Sequence, residues 1–200
     1  MHYQPKRDLL ENRIILVTGA SDGIGQEAAL TYARYGAKVI LLGRSEEKLR
    51  NVAQRIEQLG GKTARWYTLD LATCTPEQCQ QLAAQIDAAV PRLDGVLHNA
   101  GMLGDICPMD EQKPEVWDQV MQINVNATFY LTQALLPLLL KSEAGSLVFT
   151  SSSVGRQGRA GWGAYAVSKF ATEGMMQVLA EEYQSCLLYT SDAADHMQCV

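Results

Sequence analysis

Five short apolar segments alternate with five segments of helical periodicity along the chain, and this alternation limits the possible folds more than any other feature. The apolar segments are continuous, which is typical of strands buried on both faces of a parallel sheet. Helices then cover both faces, and right-handed crossovers join the strands into a single, doubly wound α/β domain. Predicted strands cover residues 13–19, 37–43, 63–71, 93–101 and 145–153, and predicted helices cover residues 23–36, 45–60, 75–90, 114–142 and 163–185.

Residues with known positional preferences mark several helix ends. Ser45 and Thr75 stand where helix N-caps are expected, directly before the helical periodicity begins. The long helix over residues 114–142 contains Pro137, and we expect it to bend there, because proline removes a hydrogen bond inside a helix.

Composition restricts the function. The 200 residues carry a formal net charge of −5, which argues against nucleic acid or an anionic membrane as a partner. No apolar run approaches the ~20 residues of a membrane-spanning helix, and the N-terminus lacks the apolar core of a secretory signal. The five cysteines show no spacing typical of a metal site. We therefore expect a cytoplasmic domain with reduced thiols and no bound metal.

A glycine-rich turn, Thr-Gly-Ala-Ser-Asp-Gly-Ile-Gly over residues 18–25, joins the first predicted strand to the first predicted helix. Glycine permits positive φ and lets the backbone approach a ligand closely. The N–H groups at a helix N-terminus attract anions, so the turn predicts a site for a dinucleotide pyrophosphate. The candidate cofactor-binding residues in this turn are Gly19, Ser21, Asp22, Gly23, Ile24 and Gly25.

The same turn also matches Gly-x-Ser-x-Gly, the nucleophile turn of α/β hydrolases, in which Ser21 would attack an ester. Such an enzyme needs an acid and then a histidine further along the chain. Three histidines are present: His2 precedes the serine, His98 ends a predicted strand, and His196 lies near the C-terminus. The hydrolase interpretation is therefore disfavoured, and Ser21 is predicted to cap the following helix.

The second predicted strand ends at Gly43 and Arg44. NAD-binding folds carry an Asp or Glu near this place for the ribose hydroxyls, whereas an arginine suits a 2′-phosphate. Gly43 removes the acid, and the Arg44 guanidinium can bind a phosphate. NADP(H) is therefore predicted over NAD(H). The alternative is that Arg44 is a surface residue paired with Glu47.

Tyr165 and Lys169 stand four residues apart in the last predicted helix and hence share one face. A cation beside a phenol stabilises the phenolate, so Lys169 should lower the tyrosine pKa towards the range useful for acid–base catalysis. Ser152 follows the fifth predicted strand and can hydrogen-bond a carbonyl or alcohol oxygen. Asn124 could hold a water beside Lys169 for proton transfer. These four residues are the predicted catalytic group.

Together these motifs resemble those of the short-chain dehydrogenase/reductase (SDR) family of Rossmann-fold oxidoreductases, and within it a group of bacterial enzymes. The resemblance runs from about Arg13 to Ser185 and includes the glycine-rich turn and the Tyr-x-x-x-Lys pair, with a serine thirteen residues before the tyrosine. It further implies that Asp70 and Leu71 contact adenine. The family's Asn-Asn-Ala-Gly motif is present as His98, Asn99, Ala100 and Gly101, with histidine in place of the first asparagine.

The resemblance implies reversible hydride transfer between nicotinamide and a small carbonyl or alcohol substrate. Ser152 would orient the substrate oxygen, and Tyr165 would exchange the proton. Lys169 would tune Tyr165, both would contact the cofactor, and Asn124 would relay protons. Asp22 opposes the NADP(H) assignment, because NADP-preferring relatives often carry a basic residue there. A cofactor-binding sensor or inactive fragment that kept the fold is the alternative function.

Two loops, residues 102–114 and 154–163, are expected to border the substrate. In the second loop, Arg156, Arg159 and Trp162 would suit an acidic or carrier-bound substrate, or else pack against neighbouring structure. The resemblance also implies a homodimer or homotetramer assembled through the two long helices.

Residues 186–200 depart from the family pattern, which continues there with a buried sixth strand. They include Cys-Leu-Leu-Tyr-Thr-Ser-Asp-Ala-Ala-Asp, which resembles a translated transposon adapter of the kind used in sequencing libraries. We therefore expect residues 1–185 to be a partial SDR domain and the rest to be foreign to it. The edge beside the fifth strand should then stay unpaired, with the nicotinamide side of the crevice open.

Sequencing the gene from its source tests this expectation. The predicted result is a coding sequence that departs from the present chain at residue 186. Native codons for residues 186–200, followed by a stop codon, would contradict it.

Overall fold

The computed structural model describes residues 5–184 and 187–192. Within them, six parallel strands form one sheet in the order β3-β2-β1-β4-β5-β6. The strands are β1 (Ile14–Thr18), β2 (Lys38–Gly43), β3 (Arg65–Thr68), β4 (Gly95–His98), β5 (Gly145–Thr150) and β6 (Leu187–Asp192). The helices are α1 (Gly23–Arg34), α2 (Glu46–Gln58), α3 (Pro76–Ala89), α4 (Pro114–Met121), α5 (Ala127–Leu139) and α6 (Gly163–Glu182).

The predicted doubly wound α/β fold is confirmed. Every residue of β1 and β4 is buried, as expected for strands with neighbours on both sides and helices on both faces. β3 is shorter than predicted and half-exposed, because it lies at the sheet edge and pairs with β2 alone. Residues 69–75, which follow β3, leave the sheet and form a loop at its carboxyl edge.

Two apolar clusters flank the sheet. One lies between the sheet and α3 and α5 and is centred on Phe149, Leu131 and Leu135, none of which is exposed. The other lies under α1 and α2 and includes Leu41 and Ile56. Burying one such side chain contributes about 1.5–3 kcal/mol. No helix in the described part of the chain combines the length and apolar content needed to cross a membrane.

The predicted N-caps of α2 and α3 are confirmed. The Ser45 side chain accepts a hydrogen bond from the Lys48 backbone N–H at 3.4 Å. The Thr75 side chain accepts one from Gln78 N–H, and the Gln78 side chain accepts one from Thr75 N–H in return. This reciprocal capping satisfies two backbone donors that the helix itself leaves free.

The predicted long helix over residues 114–142 is present as a continuous helical run over residues 114–139, but it is not a regular α-helix. A π-helical turn over Gln122–Asn126 separates α4 from α5, and α5 continues through Pro137 to Leu139. Proline donates no backbone hydrogen bond, so α5 lacks one helical bond at Pro137 without ending there. The π-helical turn inserts an extra residue into the helix and buries Asn124. Such turns are frequent at functional sites.

The expectation of an unpaired edge beside β5 is wrong. β6 pairs in parallel with β5, with registers from Gly145 opposite Leu187 to Thr150 opposite Asp192. The pairing uses backbone N–H and C=O groups, which every non-proline residue supplies, and an open edge attracts such a segment. The remaining residues of the predicted foreign segment, Cys186 and 193–200, lie outside the described part of the chain.

A buried carboxylate ties the amino end of the sheet together. Asp94 is 4% exposed and accepts hydrogen bonds from Arg92 Nε at 2.8 Å, Ser142 Oγ at 2.7 Å and Ile14 N at 2.9 Å. Burial raises the pKa of Asp94, but these three hydrogen bonds outweigh it and lower the pKa overall. The carboxylate therefore links β1, β4 and the segment between α5 and β5.

We predict that Asp94→Asn lowers the free energy of unfolding at neutral pH by about 2–4 kcal/mol, because it disrupts a buried, multiply bonded charge. A depressed folded-state pKa stabilises the protein above the unfolded-state pKa, and this stabilisation is lost as pH falls through the folded-state value. The difference between wild type and variant should therefore shrink in acid. Denaturant unfolding at several pH values measures it.

Asp87→Asn is the matched control. Asp87 forms an exposed ion pair with Lys141, and such pairs contribute at most about 1 kcal/mol. If the two variants lose equal stability, the Asp94 network has no special role.

Candidate active site

The glycine-rich turn begins at the carboxyl end of β1. Gly19 and Gly23 adopt positive φ values of 64° and 53°, which favour glycine. The Thr18 hydroxyl accepts hydrogen bonds from the backbone N–H groups of Asn99 and Ala100, both at 3.0 Å. The turn is thereby fixed to the segment that follows β4.

Close packing explains why the residues at positions 19 and 25 of the turn are glycines. A Cβ atom at Gly25 would lie 2.3 Å from the Gly19 carbonyl oxygen and 2.6 Å from Asn99 Nδ2. A Cβ atom at Gly19 would lie 3.0 Å from Ala100 Cα. The Asn99 side chain accepts a hydrogen bond from Thr150 Oγ1 at 3.3 Å and packs beneath the turn.

The prediction that Ser21 caps α1 is wrong. Asp22 occupies the N-cap position, with extended backbone, and its Oδ1 accepts a hydrogen bond from Gly23 N at 2.8 Å. Its Oδ2 lies 3.2 Å from Lys48 Nζ. The Gly23 N–H first, and then Lys48, lower the pKa of Asp22. The Ser21 hydroxyl lies beside Gly43, where a Cβ atom would be 3.3 Å away.

A cleft of about 390 Å³ opens along this sheet edge. Of the predicted cofactor-binding residues, those that line it are Gly19, Ser21, Arg44, Asp70, Leu71, Ala100 and Gly101. Those that do not line it are Asp22, Gly23, Ile24, Gly25, Asn99, Tyr165 and Lys169.

The loop after β3, which forms one wall of the cleft, is held from two sides. Asp70 Oδ1 accepts a hydrogen bond from Ala72 N at 3.0 Å. Gln122, in the π-helical turn, donates through Nε2 to the carbonyl oxygens of Leu71 at 3.3 Å and Cys74 at 3.2 Å. The role of Gln122 could not be predicted from the sequence, because the orientation of its side chain depends on the π-helical turn.

Asn124, predicted as a proton relay, is 3% exposed. Its Nδ2 donates to the Met102 carbonyl oxygen and to Ser168 Oγ, both at 2.9 Å, and its Oδ1 accepts from Met102 N at 2.7 Å. An amide nitrogen has two protons, and both are engaged. One lone pair on Oδ1 is left to accept from a water.

Lys169 is 5% exposed and is fixed to the end of β5. Its Nζ donates to the Thr150 carbonyl oxygen at 2.6 Å and lies 5.4 Å from the centre of the Tyr165 ring. Burial lowers the pKa of Lys169 to about 8, while the nearby carboxylate of Glu173 acts in the opposite direction. The predicted association of Tyr165 and Lys169 on one helix face is confirmed.

The expected lowering of the Tyr165 pKa is wrong for the protein alone. Burial raises the pKa of Tyr165, and a hydrogen bond with the Ser152 side chain opposes this. Lys169 does not reverse the effect, since its amine approaches the ring and is bonded to the Thr150 carbonyl. The contact with Ser152 brings the two predicted catalytic hydroxyls together.

The geometry of His98 excludes it as the base of a hydrolase triad. Its Nε2 is 3.0 Å from Thr132 Oγ1, and its ring stacks on Phe149 with centres 5.1 Å apart. Burial lowers the pKa of His98 to about 3. His98 thus links β4 to β5 and α5, while His196 lies outside the described residues. In the part of the chain that the structure describes, no acidic, histidine or cysteine cluster could hold a metal.

Comparison with known proteins identifies the family. Residues 13–187 match the family model described as short chain dehydrogenase. The chain is 76% identical over 187 residues to the uncharacterized oxidoreductase YciK of Escherichia coli strain K12, covering 94% of this chain and 74% of that protein. It is 34% identical over 173 residues to the 3-oxoacyl-[acyl-carrier-protein] reductase FabG of Thermotoga maritima, covering 86% and 69%.

Solved structures agree. A short chain dehydrogenase from Shigella flexneri 2a, complexed with NADP, matches with a TM-score of 0.92 and 75% identity, covering 93% of this chain and 78% of that one. A short chain dehydrogenase from Escherichia coli CFT073, complexed with NADPH, matches with a TM-score of 0.92 and 74% identity, covering 94% and 78%. The fold, the motifs and these matches together show that the chain belongs to the short-chain dehydrogenase family of oxidoreductases.

Proposed function

We propose that the protein is an NADP(H)-dependent oxidoreductase that transfers hydride between nicotinamide and a carbonyl or alcohol substrate. The observation that carries this proposal is the meeting of Ser152, Tyr165 and Lys169 at the carboxyl edge of the sheet. Lys169 Nζ lies 3.8 Å from the position of a Cβ atom at Gly101, which lines the cleft. Each residue type is common on its own. Their convergence on one side of a dinucleotide-type cleft supports carbonyl chemistry.

The raised pKa of Tyr165 suits carbonyl reduction, because the phenol stays protonated at neutral pH and can donate its proton to the substrate oxygen. Ser152 holds that oxygen through its hydroxyl. Lys169 supplies positive charge that stabilises the phenolate left behind. The free lone pair of Asn124 Oδ1 accepts a water that returns a proton from solvent.

The cleft fits a dinucleotide. Its lining combines glycine backbone at Gly19 with a hydroxyl at Ser21 and a guanidinium at Arg44. Positions 19 and 25 are packed too closely to carry a side chain. The backbone at the N-terminus of α1 is therefore not covered by side chains from these two positions, and a helix N-terminus stabilises an anion. The cofactor, when bound, supplies or accepts the hydride. Lys169 and Tyr165 would contact its nicotinamide ribose.

Three observations support NADP(H) over NAD(H). Arg44 is exposed and lines the cleft beside Gly43, which offers no carboxylate for ribose hydroxyls. Asp22, which opposed the assignment, forms an exposed ion pair with Lys48, so a cation also lies next to the glycine-rich turn. Finally, two relatives that are 75% and 74% identical to this chain were solved in complex with NADP and NADPH, respectively.

The two predicted substrate loops contact each other beside Tyr165. Cys107 N donates to the Gly161 carbonyl oxygen at 3.1 Å, and the Tyr165 ring lies 6.0 Å from that of Trp162. Exposed apolar side chains follow β4 on the same side: Leu103, Ile106 and Met109. We propose an apolar carbonyl compound as the substrate, and Arg159, an exposed residue of the second loop, as the partner of any acidic group on it.

A homo-oligomer is proposed from the outer faces of α5 and α6. Phe129 on α5 and Phe170 on α6 are 47% and 45% exposed, and Val178 on α6 is 56% exposed. Large apolar side chains on long surface helices are typical of subunit interfaces. A cytoplasmic location is proposed from Cys74, Cys79 and Cys107, which are free thiols.

We predict that Tyr165→Phe lowers kcat by ~10²–10⁴-fold, the usual contribution of a general acid, and changes cofactor affinity only a few-fold. NADPH consumption with a panel of aldehydes, ketones and acyl-carrier substrates measures kcat, and cofactor fluorescence measures affinity. Tyr35→Phe, at the end of α1, is the control and should leave both unchanged. A Tyr165→Phe enzyme that keeps most of its kcat is incompatible with the mechanism.

The same measurements on the wild type test the alternative function. A wild-type protein that binds cofactor but turns over none of the substrates would favour a cofactor-binding sensor.

We predict that Arg44→Ala weakens NADPH binding by about ten-fold or more and leaves NADH binding nearly unchanged, since a hydrogen bond to a charged group contributes roughly 1.5–3 kcal/mol. Titration of both cofactors measures the two dissociation constants. Arg50→Ala removes an exposed arginine on α2 that pairs with Glu46, and should affect neither cofactor. Equal losses for NADPH and NADH in Arg44→Ala would show that Arg44 does not bind the 2′-phosphate.

A further inference from the structure

Glu173 is a buried carboxylate on the catalytic face of α6. It is 7% exposed and lies four residues beyond Lys169, as Lys169 lies four residues beyond Tyr165. This spacing places the three side chains in one row along the helix. Glutamate is rarely buried to this extent unless it is paired, so its place in the row needs a physical explanation.

One oxygen of the buried carboxylate lacks a hydrogen bond. Among the residues that the structure describes, none donates a hydrogen bond to Oε1 of Glu173, although that atom is buried. The neighbouring cation is Arg156, whose Nε lies 3.5 Å from Oε1. Burying a carboxylate oxygen without a donor costs stability. In a site with little water, the charge of this carboxylate acts strongly on other charged groups nearby.

The segment that carries Arg156 is pressed against α6 at Lys169. Arg156 directly follows the 3₁₀ turn Ser153–Gly155, which the Ser152 side chain caps. A Cβ atom at Gly155 would lie 2.9 Å from Lys169 Cβ and 3.0 Å from its carbonyl carbon. The turn and the helix are thus in backbone contact, and the Arg156–Glu173 pair lies next to that contact.

The other groups that face Lys169 are neutral or uncharged at pH 7. β5 contributes a backbone carbonyl, the π-helical turn an amide and α6 a phenol. These groups belong to Thr150, Asn124 and Tyr165. Among the described residues, the charge that acts on Lys169 is that of Glu173, and Arg156 acts on Glu173 through their ion pair.

We propose that Glu173 is a positioning residue whose carboxylate keeps the buried Lys169 amine protonated, and that Arg156 limits this effect by partly neutralising the carboxylate. This proposal rests on the proposed role of Lys169 in hydride transfer. It assigns to Arg156 a task at the active site other than contact with substrate.

The charge of Glu173 is important because Lys169 titrates close to neutral pH. Burial lowers the pKa of Lys169 to about 8 and Glu173 opposes that change, so the amine loses its charge close to neutral pH. Without Glu173 the pKa of Lys169 falls further, and the neutral amine predominates at a lower pH. Without Arg156 the carboxylate acts at full strength and the pKa of Lys169 rises.

Two isosteric or near-isosteric changes with opposite expected signs test the proposal. We expect Glu173→Gln to lower the Lys169 titration midpoint by about one pH unit, the scale of a nearby opposite charge, and Arg156→Gln to raise it. The midpoint is measured by ¹³C NMR of Cε-labelled lysine, with the Lys169 resonance assigned through Lys169→Met. Glu173→Asp should retain part of the wild-type midpoint. Glu181→Gln, near the end of the same helix, is the control and should not change it.

The basic limb of the kcat/KM profile for carbonyl reduction should move with the NMR midpoint in each variant. A purely structural role of Glu173 would lower the melting temperature and leave the midpoint in place, which would overturn the proposal. Shifts in the same direction for Glu173→Gln and Arg156→Gln would overturn it as well. If Glu173→Gln does not fold, the absence of an upward shift in Arg156→Gln decides against it. The NMR measurement needs no turnover, so a wild type without activity refutes the proposed function and leaves this test intact.

Discussion

A chain of hydrogen bonds crosses the carboxyl edge of the sheet and holds the whole site in place. The Thr18 hydroxyl accepts from Asn99 N, the Asn99 side chain accepts from Thr150 Oγ1, and the Thr150 carbonyl accepts from Lys169 Nζ. The chain joins the end of β1, the end of β4, the end of β5 and the catalytic helix. It can form because parallel strands all present their carboxyl ends on the same side. The cofactor cleft and the catalytic residues depend on it for their relative positions.

Much of this arrangement could be predicted from the sequence. Continuous apolar segments separated by helical periodicity sufficed for a parallel, doubly wound sheet, because that pattern has few other solutions. Ser45 and Thr75 gave correct N-caps, since capping depends on local chemistry. The association of Tyr165 with Lys169 followed from their spacing of four residues on a helix. Ser152 was predicted at the same edge of the sheet because it follows the fifth strand, and parallel strands end at one edge.

The errors share a physical origin in tertiary packing. The π-helical turn leaves no periodic trace, so the long helix was predicted as a regular α-helix and the role of Gln122 could not be predicted. The direction of the Tyr165 pKa shift depends on burial and on where the Lys169 amine points, neither of which spacing reveals. Glu173 belonged to an ordinary helical pattern until its burial was known.

The π-helical turn has a further consequence for how the chain tolerates changes in length. An i to i+5 turn holds one residue more than an α-helical turn needs, as the hydrogen bond from Ala127 N to Gln122 O shows. Deleting one residue between Gln122 and Asn126 would let α4 and α5 merge into one regular helix. Because the π-helical turn absorbs one extra residue within a turn, removing that residue would leave α4 and α5 in nearly the same rotation about the helix axis. The contacts of the two helices with their neighbours would be kept, but the side chains of the turn itself would move. The helix pair should therefore fold after such a deletion, without the hydrogen bonds that Asn124 forms with Met102 and that Gln122 forms with the loop after β3.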